Sequence, residues 1–292
     1  MIALIVLIMS IVSSSSAQST HGNSNALLES GSADKLPTPP AAGDVMIVSY
    51  NIRWRSGEEL QTIINWLKEV TGSRPAIIGL QEVDRAKKRT GSINHAKEIA
   101  NKLGMYYAWA APHQPPSAPS SEEETGVELL SSYPLTDITR IVLPNPGPGE
   151  RVRVALGATT RIGNTPVRIY SVHGETRLTI VKKIDQLRAV LDDLQKFSKD
   201  MPAIVVGDFN TWEMPAVDGI RKLFTDAGFT TPVPDDESTF YRKALMFDVK
   251  LKLDWIWLRG LTPSSYGIDR NLTVSDHFPL WTTAKVTGNS RN

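Results

Sequence analysis

Apolar residues run along the chain in two rhythms. Eight short runs rich in Val and Ile read as strands, at 45–50 (VMIVSY), 76–81 (AIIGLQ), 126–132 (GVELLSS), 153–160 (RVALGATT), 167–173 (VRIYSVH), 203–208 (AIVVGD), 254–258 (DWIWL) and 278–286 (FPLWTTAKV). Four longer stretches, 58–70, 93–103, 178–197 and 216–227, repeat their apolar residues at helical spacing. AIIGL and AIVVG are apolar on both alternating faces, as central strands covered on each side must be, whereas other runs alternate. The strands between 126 and 160 follow one another with no helix between them. That order fits two sheets flanked by helices better than a barrel with a helix after every strand.

The ends of the chain read differently. Residues 1–17 combine an apolar run from Ile2 to Val12 with small residues at Ser15, Ser16 and Ala17, the pattern of an export signal cleaved near Ala17. The run is too short to span a bilayer. A periplasmic or extracellular location is therefore expected. Residues 18–43 are mostly Ser, Gly, Ala, Asn and Pro, including LPTPPAAG, and predict a disordered linker. One domain is expected over 44–287, followed by a tail at 288–292. Long polar or Pro-rich loops at 111–125 and 228–250 are expected to be functional rims or disordered.

Composition narrows the chemistry. The 292 residues are 41% apolar and 22% charged, with a formal net charge of +1, so no global field attracts a polyanion. Any phosphate must be held by local groups. The absence of cysteine excludes a disulfide framework and a thiolate metal site. Nothing predicts a stable membrane span, and the chain reads as a monomer.

Polar residues collect where the strands end: Asn51, Glu82, His173, Asp208 with Asn210, Asp254, and Asp276 beside His277. Singly, each has an ordinary explanation, since Asn and Asp are turn residues and a lone His is often a structural hydrogen-bonder. Together they are the equipment of a site at one sheet rim. Their oxygens suit Mg²⁺ or Mn²⁺ and, in a wider site, Ca²⁺. Such an ion keeps open positions for a phosphoryl oxygen, and two histidines beside carboxylates can supply protons or hydrogen bonds to the same centre. Metal-assisted phosphoester hydrolysis is the reaction these parts suit.

The motifs SYN (49–51), LQEVD (80–84), GDFN (207–210), LDWIW (253–257) and SDHFP (275–279) stand in an order that resembles the endonuclease/exonuclease/phosphatase superfamily, which includes deoxyribonuclease I and neutral sphingomyelinases. The resemblance implies an α/β fold, a four-layer α/β/β/α sandwich. It implies Glu82 as the principal metal carboxylate, with Asn51 beside it and Asp276 near or in the metal shell. It implies that Asp208 orients or deprotonates the attacking water and that Asn210 holds the water or the phosphate. His277 would hydrogen-bond the phosphoryl oxygen with Asp254 fixing its tautomer, and His173 would assist the transition state or leaving group.

Departures from the family pattern raise specific questions. Where many relatives carry Thr-His-Leu, this chain has Val172-His173-Gly174-Glu175, which leaves the partner of His173 open. Glu128 could pair with it, or be solvated or capping. Arg85, Lys88 and Arg89, in a basic cluster just after Glu82, are candidates for phosphate capture, while Arg151 and Arg153 read as structural or rim residues. Nucleic acid, a phospholipid head group and a small phosphodiester remain open as substrates. A bilayer substrate calls for an exposed apolar loop, and no long hydrophobic hairpin stands out in the sequence. The same fold without catalysis, acting as a secreted binding protein, is the alternative in another class.

Overall fold

The computed structural model describes residues 27–38, 43–113, 124–245 and 247–287. The segment read as an export signal, part of the predicted linker and the tail lie outside the described residues. No helix among the described residues is long and apolar enough to cross a membrane.

All eight predicted strands form: β2 (Val45–Asn51), β3 (Ala76–Arg85), β5 (Glu124–Ser131), β7 (Val154–Ile162), β8 (Thr165–His173), β9 (Ala203–Asp208), β12 (Asp254–Arg259) and β14 (Leu280–Val286). The helical stretches form α1 (Gly57–Thr71), α2 (His95–Leu103), α3 (Ile180–Leu194) and α4 (Met214–Asp226). Local signals set their ends. Asn94 caps α2 by accepting the Lys97 N–H at 3.1 Å, and Gly104 closes it in the left-handed conformation that glycine adopts without strain.

Six further strands were not predicted: β1 (Leu28–Ser32), β4 (Tyr106–Ala110), β6 (Thr136–Val142), β10 (Phe240–Ala244), β11 (Phe247–Leu251) and β13 (Leu261–Ile268). The first corrects the linker expectation for part of 18–43, because β1 pairs antiparallel with β4. Its composition is polar, but Glu29 accepts hydrogen bonds from the Tyr107 hydroxyl at 2.6 Å and from Asn94 at 2.8 Å, and pairs with Arg85 at 3.2 Å. Long-range polar contacts add to the partial burial of Leu28 in holding this strand.

The strands build a seven-stranded sheet in the order β1-β4-β5-β3-β2-β14-β13 and a five-stranded sheet in the order β12-β9-β8-β7-β6, with β10 and β11 as a separate hairpin. One core lies between the sheets and includes Ile47, Ile77, Ile169, Val206 and Ile256. A second packs α1 and α2 on the first sheet, and a third packs α3 and α4 on the other. The result is the α/β/β/α sandwich. Close approach of the sheets depends on Gly79, where a Cβ would stand 2.2 Å from Val206 Cγ2.

Alternation then aims the site. Residues 47, 49 and 51 of β2, 169, 171 and 173 of β8, 204, 206 and 208 of β9, and 254, 256 and 258 of β12 share the side facing the gap between sheets. Asn51, His173 and Asp208 end their series, and Asp254 begins that of the antiparallel β12, so all four stand at the same rim. The inner ends of those series are apolar and closed, while the rim ends are polar.

Candidate active site

Register places three site residues side by side. His173 of β8 lies opposite Asp208 of β9, and Asp208 lies opposite Asp254 of β12. Gly207 makes the tight row possible, since a Cβ there would stand 2.0 Å from the Val172 carbonyl oxygen. Glu82 reaches the same gap by a different device. Strict alternation would turn it away, but β3 carries one extra residue between Gln81 and Val83, and Glu82 takes the left-handed conformation with φ 58°. The bulge turns this carboxylate into the cleft.

Asn51 Nδ2 donates to Asp208 Oδ2 at 3.0 Å and lies 3.5 Å from Glu82 Oε1. Asp208 Oδ1 accepts the Asn210 N–H at 2.9 Å, and the Asn210 carboxamide donates to the Gly174 carbonyl at 3.1 Å. Asn210 therefore braces Asp208 through its backbone N–H and the turn after β8 through one of its two Nδ2 hydrogens. Burial lifts the Asp208 carboxyl to about 7, against the opposing pull of His277.

The two histidines flank Asp208 Oδ2, each with Nε2 at 3.7 Å. His277 Nδ1 is 2.8 Å from Asp254 Oδ2. Asp254 is fixed in turn, because Thr239 Oγ1 accepts the backbone N–H of both Leu253 and Asp254 at 3.0 Å. Burial alone would lower the His277 pKa, but the Asp254 and Asp208 carboxylates raise it to about 10. His173 has the opposite setting. Arg153 Nη1 lies 3.3 Å from its Nδ1, and a guanidinium only donates, so Nδ1 accepts and the ring proton sits on Nε2. Nε2 in turn points toward Asp208 and toward Glu82 Oε1 at 3.9 Å. Burial first, then Arg153 and His277, hold the His173 pKa well below the usual imidazole range.

The partner of His173 is thus an arginine held by Glu175. Arg151 and Arg153 both pair with that buried carboxylate, Arg153 at 3.2 Å, and the Glu175 N–H donates to Gln186 at 2.9 Å. The signal was present in the unusual Gly174-Glu175 after the histidine. Glu128 plays neither expected part. It is buried on the helix-covered side of β5, its oxygens have no hydrogen-bond partner among the described residues, and burial raises its pKa well above the carboxylate range.

Asp276 pairs with Arg53 at 3.1 Å and lines a neighbouring cavity. Two further expectations are corrected by geometry. Arg85 turns to the helix-covered side, where it pairs with Glu29 and stacks over Trp109 with its guanidinium 4.1 Å from the ring centroid. Lys88 is exposed in a 3₁₀ turn (Lys88–Thr90) and does not line the cavity beside Glu82. Arg89 does, although both arms of its fork are tied to Asp84 at 2.8 and 2.9 Å and it stacks on Trp54. That cavity, about 460 Å³, also takes Lys87, Trp54, Arg151 and Arg153, which sequence spacing did not single out as a group.

Glu82 fits a divalent ion best. Its side chain is 27% exposed toward the cleft and forms no ion pair with a Lys or Arg among the described residues, while the Asn51 carboxamide stands beside it. Oxygen donors with open positions suit a hard cation. Asp208, Asp254 and His277 also stand close enough to surround an ion, with ligand atoms within 4.8 Å of one another. The His277–Asp254 bond already occupies that trio, and we read it as an acid–imidazole chain.

The endonuclease/exonuclease/phosphatase family model matches residues 48–277, which contain every one of these site residues. The chain belongs to this family. Its members are metal-dependent hydrolases of phosphoester bonds, and so is this protein. No curated protein matches the chain in sequence. Among solved structures it is similar to an endonuclease/exonuclease/phosphatase from Beutenbergia cavernae (18% identity, TM-score 0.64, covering 84% of this chain and 72% of that one). It is also similar to D. rerio TDP2 complexed with a single-strand DNA product (16% identity, TM-score 0.63, covering 83% and 99%). A third is the human Nocturnin catalytic domain with bound sulfate (18% identity, TM-score 0.63, covering 83% and 94%). At these identities the likeness establishes the shared family fold, and the chemistry rests on this chain's own residues.

Proposed function

We propose that this protein is an exported, divalent-metal-dependent phosphodiesterase that hydrolyses its substrate by in-line attack of an activated water. The observation that carries the reading is the convergence of Glu82, His173, Asp208 and His277 at one rim, with both histidines 3.7 Å from the same Asp208 oxygen. Glu82 and Asn51 would hold the cation, Mg²⁺ in the first instance with Mn²⁺ or Ca²⁺ as alternatives. When bound, it would offset the charge developing on the phosphoryl and leaving oxygens. Asp208, lifted to about 7, is suited to take the proton of the attacking water near neutral pH. His277 remains charged there and donates to a phosphoryl oxygen. His173 donates from Nε2 as a neutral imidazole. Export rests on the sequence pattern of residues 1–17.

The cations are unevenly distributed, which supports a substrate carrying negative charge beyond the scissile group. Lys87, Arg89, Arg151 and Arg153 stand on one side of the site, and Arg53, Arg55 and Arg242 on the other. Arg53, Arg55, Arg89, Arg151 and Arg153 are paired with carboxylates, while Lys87 and Arg242 make no ion pair with a described residue. The test is a parallel assay of purified protein with Mg²⁺, Mn²⁺ or EDTA on plasmid DNA, RNA, sphingomyelin, bis-p-nitrophenyl phosphate and inositol phosphates. Metal-dependent cleavage of diesters is expected; no cleavage of any member with any metal would favour a binding protein instead.

A further inference from the structure

The β10–β11 hairpin leaves its most apolar residues in water. At its tip Leu245 is 94% and Phe247 72% exposed. Leu245 also takes φ 54°, a left-handed turn position where Asn or Gly is the unstrained choice. A leucine there incurs backbone strain as well as exposure of its side chain, and no packing among the described residues offsets either. Cations surround this tip. Arg242, Lys243 and Lys250 lie on the hairpin and make no ion pair with a described residue. With Arg53, Arg55 and Arg270 they line a cavity of about 630 Å³ that reaches Ser275 and Asp276.

The root of the hairpin is part of the catalytic rim. The Tyr241 N–H donates to the Asp276 carbonyl at 2.9 Å, the Phe278 N–H donates to the Thr239 carbonyl at 2.6 Å, and the Phe240 ring meets His277 edge-on at 5.1 Å. An apolar tip, flanking cations and a rigid link to the active site meet in one element. Nucleic acid would use the cations but gains little from an aliphatic tip, whereas a lipid interface uses both.

We infer that the hairpin docks this protein on an anionic phospholipid surface, Leu245 and Phe247 entering the interface while Arg242, Lys243 and Lys250 meet the head-group phosphates. Docking sets the rim bearing His277 against the membrane, so a head-group phosphodiester is the substrate that reaches it. The inference rests on the proposed phosphodiesterase reading for its substrate and on the hairpin alone for its surface.

The test uses the full chain in sedimentation with vesicles of phosphatidylcholine alone or mixed with phosphatidylglycerol, alongside turnover of soluble bis-p-nitrophenyl phosphate. Binding is expected to the mixed vesicles, weaker at high salt, and to fall by at least about tenfold in the Leu245→Ser/Phe247→Ser double variant. Lys243→Glu/Lys250→Glu should weaken it comparably. Turnover of the soluble diester should be unchanged in both, which also shows that they fold. Equal vesicle binding by wild type and the tip variant would overturn the inference. So would absence of vesicle binding, or retention of DNA and RNA oligonucleotides in place of vesicles with no effect of the tip variant. Failure of the phosphodiesterase reading shows separately, as no metal-dependent turnover of the soluble diester by a protein that still binds vesicles.

Discussion

His173 and His277 stand at the same distance from one carboxylate oxygen, yet they are built to opposite ends. His277 is backed by Asp254 and surrounded by carboxylates, which keep it charged; His173 is backed by Arg153, which keeps it neutral. What differs is the residue behind each ring. A carboxylate accepts the Nδ1 proton and raises basicity, whereas a guanidinium donates to Nδ1 and places the single proton on Nε2. One buried row thereby holds a cationic donor, a carboxyl near neutrality and a neutral donor. Groups whose surroundings push their pKa values apart can take different acid–base roles at one pH.

The comparison breaks most sharply at His277. His277→Ala should lower kcat by about 10² or more while leaving Mg²⁺ dependence intact, as loss of a positioned donor does. Steady-state kinetics on bis-p-nitrophenyl phosphate reads this, and an unchanged kcat removes His277 from the reaction. Asp254→Asn probes the backing. It should lower kcat by about tenfold or more, and in the metal-free protein it should bring the His277 titration down from about 10. NMR of the ring carbons measures the shift; a His277 titration unmoved in the variant would separate the two residues.

Arg153→Ala sharpens the other half. It frees His173 Nδ1, so both tautomers become accessible and kcat should fall by several-fold, about tenfold at most. The ring ¹⁵N shifts of His173 should show the proton on Nε2 in the wild type and a mixture in the variant. Arg153→Lys, which can still donate, should recover part of the loss. A wild-type ring protonated on Nδ1 would contradict the pairing.

The two rings also have opposite linkage to stability. For His277 the folded pKa lies above 6.5, so its contribution is complete below that pH and drains away as pH rises toward about 10. For His173 the folded pKa lies below 6.5, so its contribution is complete above that pH and is lost as pH falls. Thermal unfolding of His277→Ala and His173→Ala across this range should show the destabilisation growing toward low pH for the first and toward high pH for the second.

The smallest effect lies away from the rim. Glu128 is a buried carboxyl with a raised pKa, so it costs stability as pH rises above its unfolded value. Glu128→Leu should stabilise the protein at pH 7 by about 1–3 kcal/mol and flatten the loss of Tm between pH 5 and 8, with no change in kcat. A destabilised variant would mean that the carboxyl is satisfied in solution.

Much of this was legible in the chain because the fold puts period-two alternation and chemistry in the same strands. VMIVSYN, VRIYSVH and AIVVGD each end, and DWIWL begins, a same-face series with a polar residue, and that series is what aims Asn51, His173, Asp208 and Asp254. Glu82 is a harder case, because its direction depends on a bulge that strand pattern does not announce. Strand β1 was hidden because Glu29 is held by residues up to 78 positions away. The direction of Arg85 depends on Trp109 and Glu29, and that of Asp276 on Arg53, none of which a local charge cluster reveals. The hairpin was missed because its apolar tip is only a few residues long and gains its meaning from exposure.

Metal dependence through Glu82 is the claim on which the remaining roles depend. Turnover of bis-p-nitrophenyl phosphate by the wild type and by Glu82→Gln, titrated with Mg²⁺ and checked in EDTA, tests it most directly. The account predicts saturable Mg²⁺ activation of the wild type, its abolition by EDTA and a flat, near-background response in Glu82→Gln. Wild-type turnover by Glu82→Gln at saturating Mg²⁺, or an undiminished rate in EDTA, would contradict it.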